Sequence, residues 1–158
     1  MLKTFIAIPG LVFFLSLFSC SKTCYCTSSK LGLNYVSFTA DETDSIFVTR
    51  FVPGSFFTRP RDSTWLTSQN AVFSTNQDTI SIQSNLEELT IRSYYDYVLY
   101  LPALHRRDSI YGVFETRDVE TGKPDIDCNC INRILSYQVN RDTLAVGDPA
   151  APRLFIYR

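Results

Sequence analysis

Apolar and polar side chains alternate in short runs along most of this chain, with a period of two. From Leu33 to Thr39, the residues Leu33, Tyr35 and Ser37 oppose Asn34, Val36 and Phe38. Ser45–Val52 is a β-branched and aromatic run stopped by Pro53-Gly54. Thr79–Gln83 alternates through Ile80 and Ile82. Leu89–Arg92, Tyr94–Leu101, Ile110–Thr116, Ile131–Val139, Thr143–Val146 and Leu154–Tyr157 read the same way. Phe56-Phe57, Trp65-Leu66 and Ala71–Phe73 are shorter candidates. Successive strand residues face opposite sides of a sheet, so each run marks a strand with one buried face. The one helix-like fragment is Asn85–Leu89, about one turn. Strands of this length, spaced by turn residues, predict an all-β chain. The expected form is a single-domain β-sandwich, Ig-like or transthyretin-like, with roughly seven to nine short strands.

The start of the chain breaks this pattern. Met1-Leu2-Lys3 leads into an apolar run from Phe5 to Phe18, interrupted by Pro9-Gly10 and closed by Leu17-Phe18-Ser19-Cys20. A basic start, a short apolar stretch and a small residue before the cut form a secretory signal. The run falls short of the ~20 residues a membrane span needs. Leu17-Phe18-Ser19-Cys20 resembles the lipobox of bacterial lipoproteins, whose cysteine carries a diacylglyceryl group and an N-acyl chain after cleavage. The resemblance implies that residues 1–19 are removed and that Cys20 is the lipidated N-terminus. Residues 20–32 then form a short anchor segment, and 33–158 the sandwich. With Tyr97–Pro102 and Cys128-Asn129-Cys130-Ile131-Asn132, the chain resembles small envelope lipoproteins of the bacteroidete type. Ser21 is not the aspartate associated with inner-membrane retention, and no acidic run follows Cys20. By that analogy the expected address is the outer membrane, on its periplasmic face.

Four cysteines remain, as two C-x-C pairs, Cys24/Cys26 and Cys128/Cys130. Four thiolates in close pairs suit a zinc tetrahedron. An exported chain meets an oxidising compartment, where disulfides form instead. A bridge inside one C-x-C is strained, because alternate residues on one strand face sit near the ~7 Å upper limit for bridged Cα atoms. Bridges between the pairs fit better, although the sequence leaves their connectivity open. A redox-active C-x-C is a third reading. Cys24 lies four residues past Cys20, a reach of roughly 14 Å at full extension. A stapled Cys24 therefore implies a domain held almost on the membrane.

Composition excludes some functions. Of 15 basic residues, Lys3 leaves with the leader, so 14 face 16 acidic ones and the net charge is −2. That balance gives no electrostatic reason to expect nucleic acid as a partner. Nothing in the sequence calls for a cofactor. The single histidine, His105, sits beside Arg106 and Arg107 in an expected loop. It has neither a G-x-S-x-G partner nor a second histidine for zinc hydrolysis. Asp118, Glu120, Asp125 and Asp127 make an acidic loop without EF-hand spacing. Glu87 and Glu88, with Asp125 and Asp127, are the carboxylates a glycan or peptidoglycan hydrolase would draw on. Tyr95, Tyr97 and Trp65 suit sugar stacking, although tyrosines on one strand serve packing equally well.

Asp followed by Ser or Thr recurs at Ser45, Ser63, Thr79, Ser109 and Thr143. Asp in this setting makes turns with its own backbone ahead of a strand. The pattern also resembles the O-glycosylation acceptor of bacteroidete-type envelope proteins, which makes those five hydroxyls candidate acceptors. Taken together, the sequence predicts a lipid-anchored, non-enzymatic binding or scaffolding module close to the membrane, with an envelope protein or glycan as partner. A carboxylate hydrolase and a thiol-redox protein are the alternatives.

Overall fold

A computed structural model describes residues 22–27, 30–84, 91–116, 118–122, 128–145 and 153–158. Among these, twelve strands form three sheets, and the all-β sandwich is the observed architecture. The excess over seven to nine lies in short strands that carry little hydrophobic patterning. Two of these, β1 (Lys22–Tyr25) and β9 (Val119–Gly122), pair only with each other.

The larger sheet contains β3 (Ile46–Phe51), β4 (Pro60–Leu66), β7 (Asp96–Leu101), β8 (Arg106–Glu115), β10 (Ile134–Val139) and β11 (Asp142–Ala145). Its order is β11-β10-β8-β7-β3-β4, antiparallel throughout. The smaller sheet contains β2 (Gly32–Val36), β5 (Ala71–Asn76), β6 (Thr79–Ser84) and β12 (Arg153–Tyr157), in the order β12-β2-β6-β5. Its β12–β2 pair is parallel. One helical turn, α1 (Ala40–Thr43), links β2 to β3, and a 3-10 turn at Pro102–Leu104 links β7 to β8.

The period-two pattern becomes the core. Leu33 and Tyr35 of β2, Ile80 and Ile82 of β6, Ile46 and Val48 of β3, and Tyr97, Leu99 and Leu101 of β7 are all buried in one cluster. Burying each such side chain fully is worth about 1.5–3 kcal/mol. The two sheets are also tied by polar bonds. The Tyr137 hydroxyl on β10 donates to the Arg153 carbonyl (3.2 Å) and accepts the Phe155 N–H of β12 (3.3 Å).

Four local expectations need correction. Ser37 has a left-handed φ of 65°, which ends β2 and turns Phe38 inward, where its ring meets Tyr35 edge-on at 5.0 Å. Phe56 and Phe57 begin no strand. Both are left-handed (φ 50° and 59°) in the β3–β4 turn, with Phe57 against Phe51 and Tyr111 and Phe56 exposed. Tyr94 lies in a turn before β7 rather than in it. Of the five Asp-Ser/Thr sites, Asp62-Ser63 and Asp108-Ser109 lie within β4 and β8 rather than in turns. Asn85–Leu89 lies outside the described residues, as does the start of Leu89–Arg92, of which Ile91 forms an isolated bridge to Leu31.

Candidate functional site

The sequence motifs converge on the segment that joins the N-terminal residues to the sandwich. Cys24 is bonded to Cys128 and Cys26 to Cys130, with Cα separations of 5.4 and 4.8 Å. With all four sulfurs paired, the zinc reading has no thiolates. Cys128 and Cys130 occupy no strand of their own. Both bridges span 104 positions, and the Thr27–Ile131 bridge that follows is parallel with the same offset. The chain after β1 thus runs alongside the chain before β10.

Asn132 completes this clasp, and its role was not legible beforehand. Its side chain is buried. It donates through Nδ2 to the Cys26 carbonyl (3.1 Å) and accepts the Asp118 N–H at Oδ1 (2.9 Å). The Asn132 N–H donates to the Thr27 carbonyl (2.8 Å), and the Thr27 N–H to the Cys130 carbonyl (3.1 Å). Asp118 belongs to the clasp as well: its carbonyl accepts the Cys26 N–H and its carboxylate accepts the Thr116 hydroxyl (2.8 Å). β9 pairs with β1, so the stretch from Lys22 to Thr27 is held by a ladder, two sulfur bridges and a buried amide.

Among the described residues, the other candidates are dispersed. Cys20, Glu87, Glu88, Asp125 and Asp127 lie outside the described residues. His105 is in the β7–β8 turn with a left-handed φ of 49°, and its Nδ1 meets the Tyr100 hydroxyl at 3.3 Å. Arg106 is not a loop cation. It opens β8, lies over the Phe38 ring, and donates to Asp108 and to the Tyr157 carbonyl. Asp108 is fully buried and also accepts the Asn140 side chain at 2.7 Å. Tyr97 is core and Tyr95 packs against it, with Arg50 over the Tyr95 ring. Trp65 stays half-exposed against Phe47 at 5.0 Å, in a cross-strand row that continues to Tyr100 and Arg107. Ser63 and Thr143 are exposed, whereas Ser45, Thr79 and Ser109 are half-buried. No cluster of three or more metal-ligating side chains occurs among the described residues.

A cavity of about 240 Å³, with no signal in the sequence, lies between the sheets. Leu31, Leu33 and Ile82 wall it on one side, and Val48, Leu66 and Leu99 on the other. All six are buried, whereas Lys30 and Gln83 are exposed and mark its mouth beside Ser84. Among the described lining residues, Lys30 is the one that carries a charge. Its mouth is open to solvent, so the volume is a cleft rather than a sealed void. Water inside gains little, since aliphatic walls offer it no hydrogen bonds.

Comparison of the chain with family models, with curated proteins and with solved structures found no match. Among the described residues no helix is long and apolar enough to cross a membrane. What the molecule offers chemically is thus read from its own geometry: a stapled N-terminal clasp and an aliphatic cavity.

Proposed function

We propose that this protein is a lipid-anchored envelope protein that works as a non-enzymatic binding module held close to the membrane. The observation that carries the reading is the clasp. β1 starts at Lys22, two residues after Cys20, and the stretch from Lys22 to Thr27 is fixed by two disulfides, a ladder and Asn132. If Cys20 carries acyl chains, no flexible tether separates them from the folded body. The body then works within a few ångströms of the bilayer, on the periplasmic face of the outer membrane. Disulfides suit that oxidising compartment. The non-enzymatic reading is supported by the described polar candidates: the His105 ring lies against the Tyr100 hydroxyl, and Asp108 holds Arg106 and Asn140 on one carboxylate oxygen.

The test is mass spectrometry of the protein made in its own cells. The expected N-terminal peptide begins at Cys20 and carries three acyl chains, and Cys20→Ala releases the protein from the membrane fraction. An uncleaved leader with a bare Cys20 thiol defeats the reading. The same spectra read glycan mass at Ser45, Ser63, Thr79, Ser109 and Thr143. Ser63 and Thr143 are the most accessible of the five and are expected to be modified first.

A further inference from the structure

We propose that the inter-sheet cavity binds the hydrocarbon tail of a fatty acid, with the carboxylate at Lys30. This names the ligand of the binding module proposed above. It depends on that reading only for the side from which the ligand arrives. The walls are aliphatic from both sheets, with polar side chains confined to the mouth. An occupant must therefore be apolar along its length and polar at one end. Sugars, nucleotides and peptides fail this condition, because their buried hydroxyls and amides would find no partners. A cavity of about 150 Å³ takes one benzene, so in proportion the present volume suits about ten carbons of a single chain.

The head group follows from the mouth. Lys30 supplies the charge, and Gln83 supplies a neutral amide donor beside it. A carboxylate meets both, while a cationic head meets repulsion. Lys30 lies three residues beyond Thr27, whose N–H is held by the Cys130 carbonyl in the clasp. The mouth residue is thus within about 11 Å of chain contour from the clasp. An acylated Cys20 would keep it near the bilayer in which fatty acids dissolve.

The test uses envelopes isolated from cells producing the full chain, treated with decanoic acid bearing a terminal diazirine, irradiated and mapped by peptide mass spectrometry. Light-dependent adducts are expected on peptides containing Leu31, Leu33, Ile82 or Leu99, and excess decanoic acid should suppress them. Leu99→Trp, which fills the cavity, should abolish them. Lys30→Glu alters an exposed residue and leaves the core intact. It should weaken labelling by the acid about two- to fivefold and leave labelling by the methyl ester unchanged. Adducts that resist competition, or that gather on the exposed Tyr25 and Phe56, overturn the proposal. So does equal loss of acid and ester labelling in Lys30→Glu. Cavity labelling by a lysophospholipid of the same chain length but not by the acid overturns the head-group assignment. Because these spectra also contain the N-terminal peptide, cavity adducts beside a bare Cys20 sink only the anchor, and an acylated Cys20 without cavity adducts sinks only the ligand.

Discussion

Removing the two disulfides separately and together should give sharply non-additive losses of stability. Each bridge closes the same 104-residue loop. In the chain-entropy model a loop of that length restrains the unfolded chain by about 4.7 kcal/mol. Once one bridge exists, the other closes only a small ring, two residues along each chain, and the same relation gives roughly 2 kcal/mol. Cys24→Ala/Cys128→Ala therefore leaves the long loop closed by Cys26–Cys130 and should cost about 2 kcal/mol. The loss should be somewhat larger if the buried Cys24 site collapses poorly. Cys26→Ala/Cys130→Ala should cost about the same. The quadruple variant loses both closures and should fall by about 6–7 kcal/mol, leaving roughly 3 kcal/mol of coupling between the pairs. Urea denaturation of the four proteins, with both unfolding midpoint and slope fitted, measures this. A slope that rises in the quadruple variant alone is also expected, because only that unfolded state is released from the crosslink. Losses that simply add, or a quadruple variant no weaker than either double variant, would refute the loop-closure reasoning.

Other parts of the molecule yield sharper single-residue expectations. The Tyr35 hydroxyl is buried without a hydrogen-bonding partner, so Tyr35→Phe should leave stability unchanged or raise it by up to ~1 kcal/mol in thermal melts; a loss beyond 1 kcal/mol contradicts this. Burial pushes the Tyr97 phenol up from 10.0 to about 12, and burial also raises Tyr35. A raised phenol pKa favours the neutral form in the fold, so its contribution is complete below pH 10 and is lost as pH climbs from 10 to 12. Tyr97→Phe should flatten that alkaline slope, and an unchanged slope in urea titrations at pH 9.5–12 speaks against it. Arg106→Ala strips the buried Asp108 of its guanidinium and should cost about 2–3 kcal/mol by chemical denaturation, Arg106 being partly exposed. In the β3–β4 turn, Gly54 has a φ of +69° with open space where a Cβ would stand, and its N–H bonds Asp96. Gly54→Ala should cost only the backbone penalty of about 1 kcal/mol, and a cost above 2 would show that the turn is held in some other way.

Strands with one face in the core announced themselves, because burial of alternate residues is written directly into composition. β3, β6, β7 and β12 stand within two residues of where alternation places them. What stayed hidden was whatever depends on partners far away in the chain. β1 has one buried residue in four, Cys24, and no pattern of its own; it is a strand because β9 and two sulfurs lie beside it. Asp108 carries no sign of burial in the sequence. Its burial follows from β8 beginning two residues earlier, at Arg106, with an ion pair that makes an inward-facing carboxylate tolerable. The Ser37 and Phe56-Phe57 errors share one cause, since left-handed residues other than glycine leave no compositional mark. The cavity was invisible for a further reason. Each of its leucines and isoleucines reads as ordinary core, and only the separation of the two sheets decides whether their side chains meet or leave a gap.

The connectivity of the clasp explains why a short anchor segment would need such heavy fastening. An acyl-anchored chain is pulled at its N-terminus whenever the body is displaced from the bilayer. Without the sulfurs, that pull would act on the four-residue β1–β9 ladder, which can open one pair at a time. Next in line would be Leu31 and β2, whose residues wall the cavity. The bridges divert the load to Cys128 and Cys130, which lead within a few residues to Ile134 and β10. β10 is an interior strand, hydrogen-bonded to β8 on one side and β11 on the other, so pulling it out would break two ladders rather than one. Force at the anchor would thus be carried into the larger sheet at β10, one strand in from its edge, and β2 would be spared. Two bridges in register also resist rotation of the clasp about a single S–S link, which one bridge alone would permit.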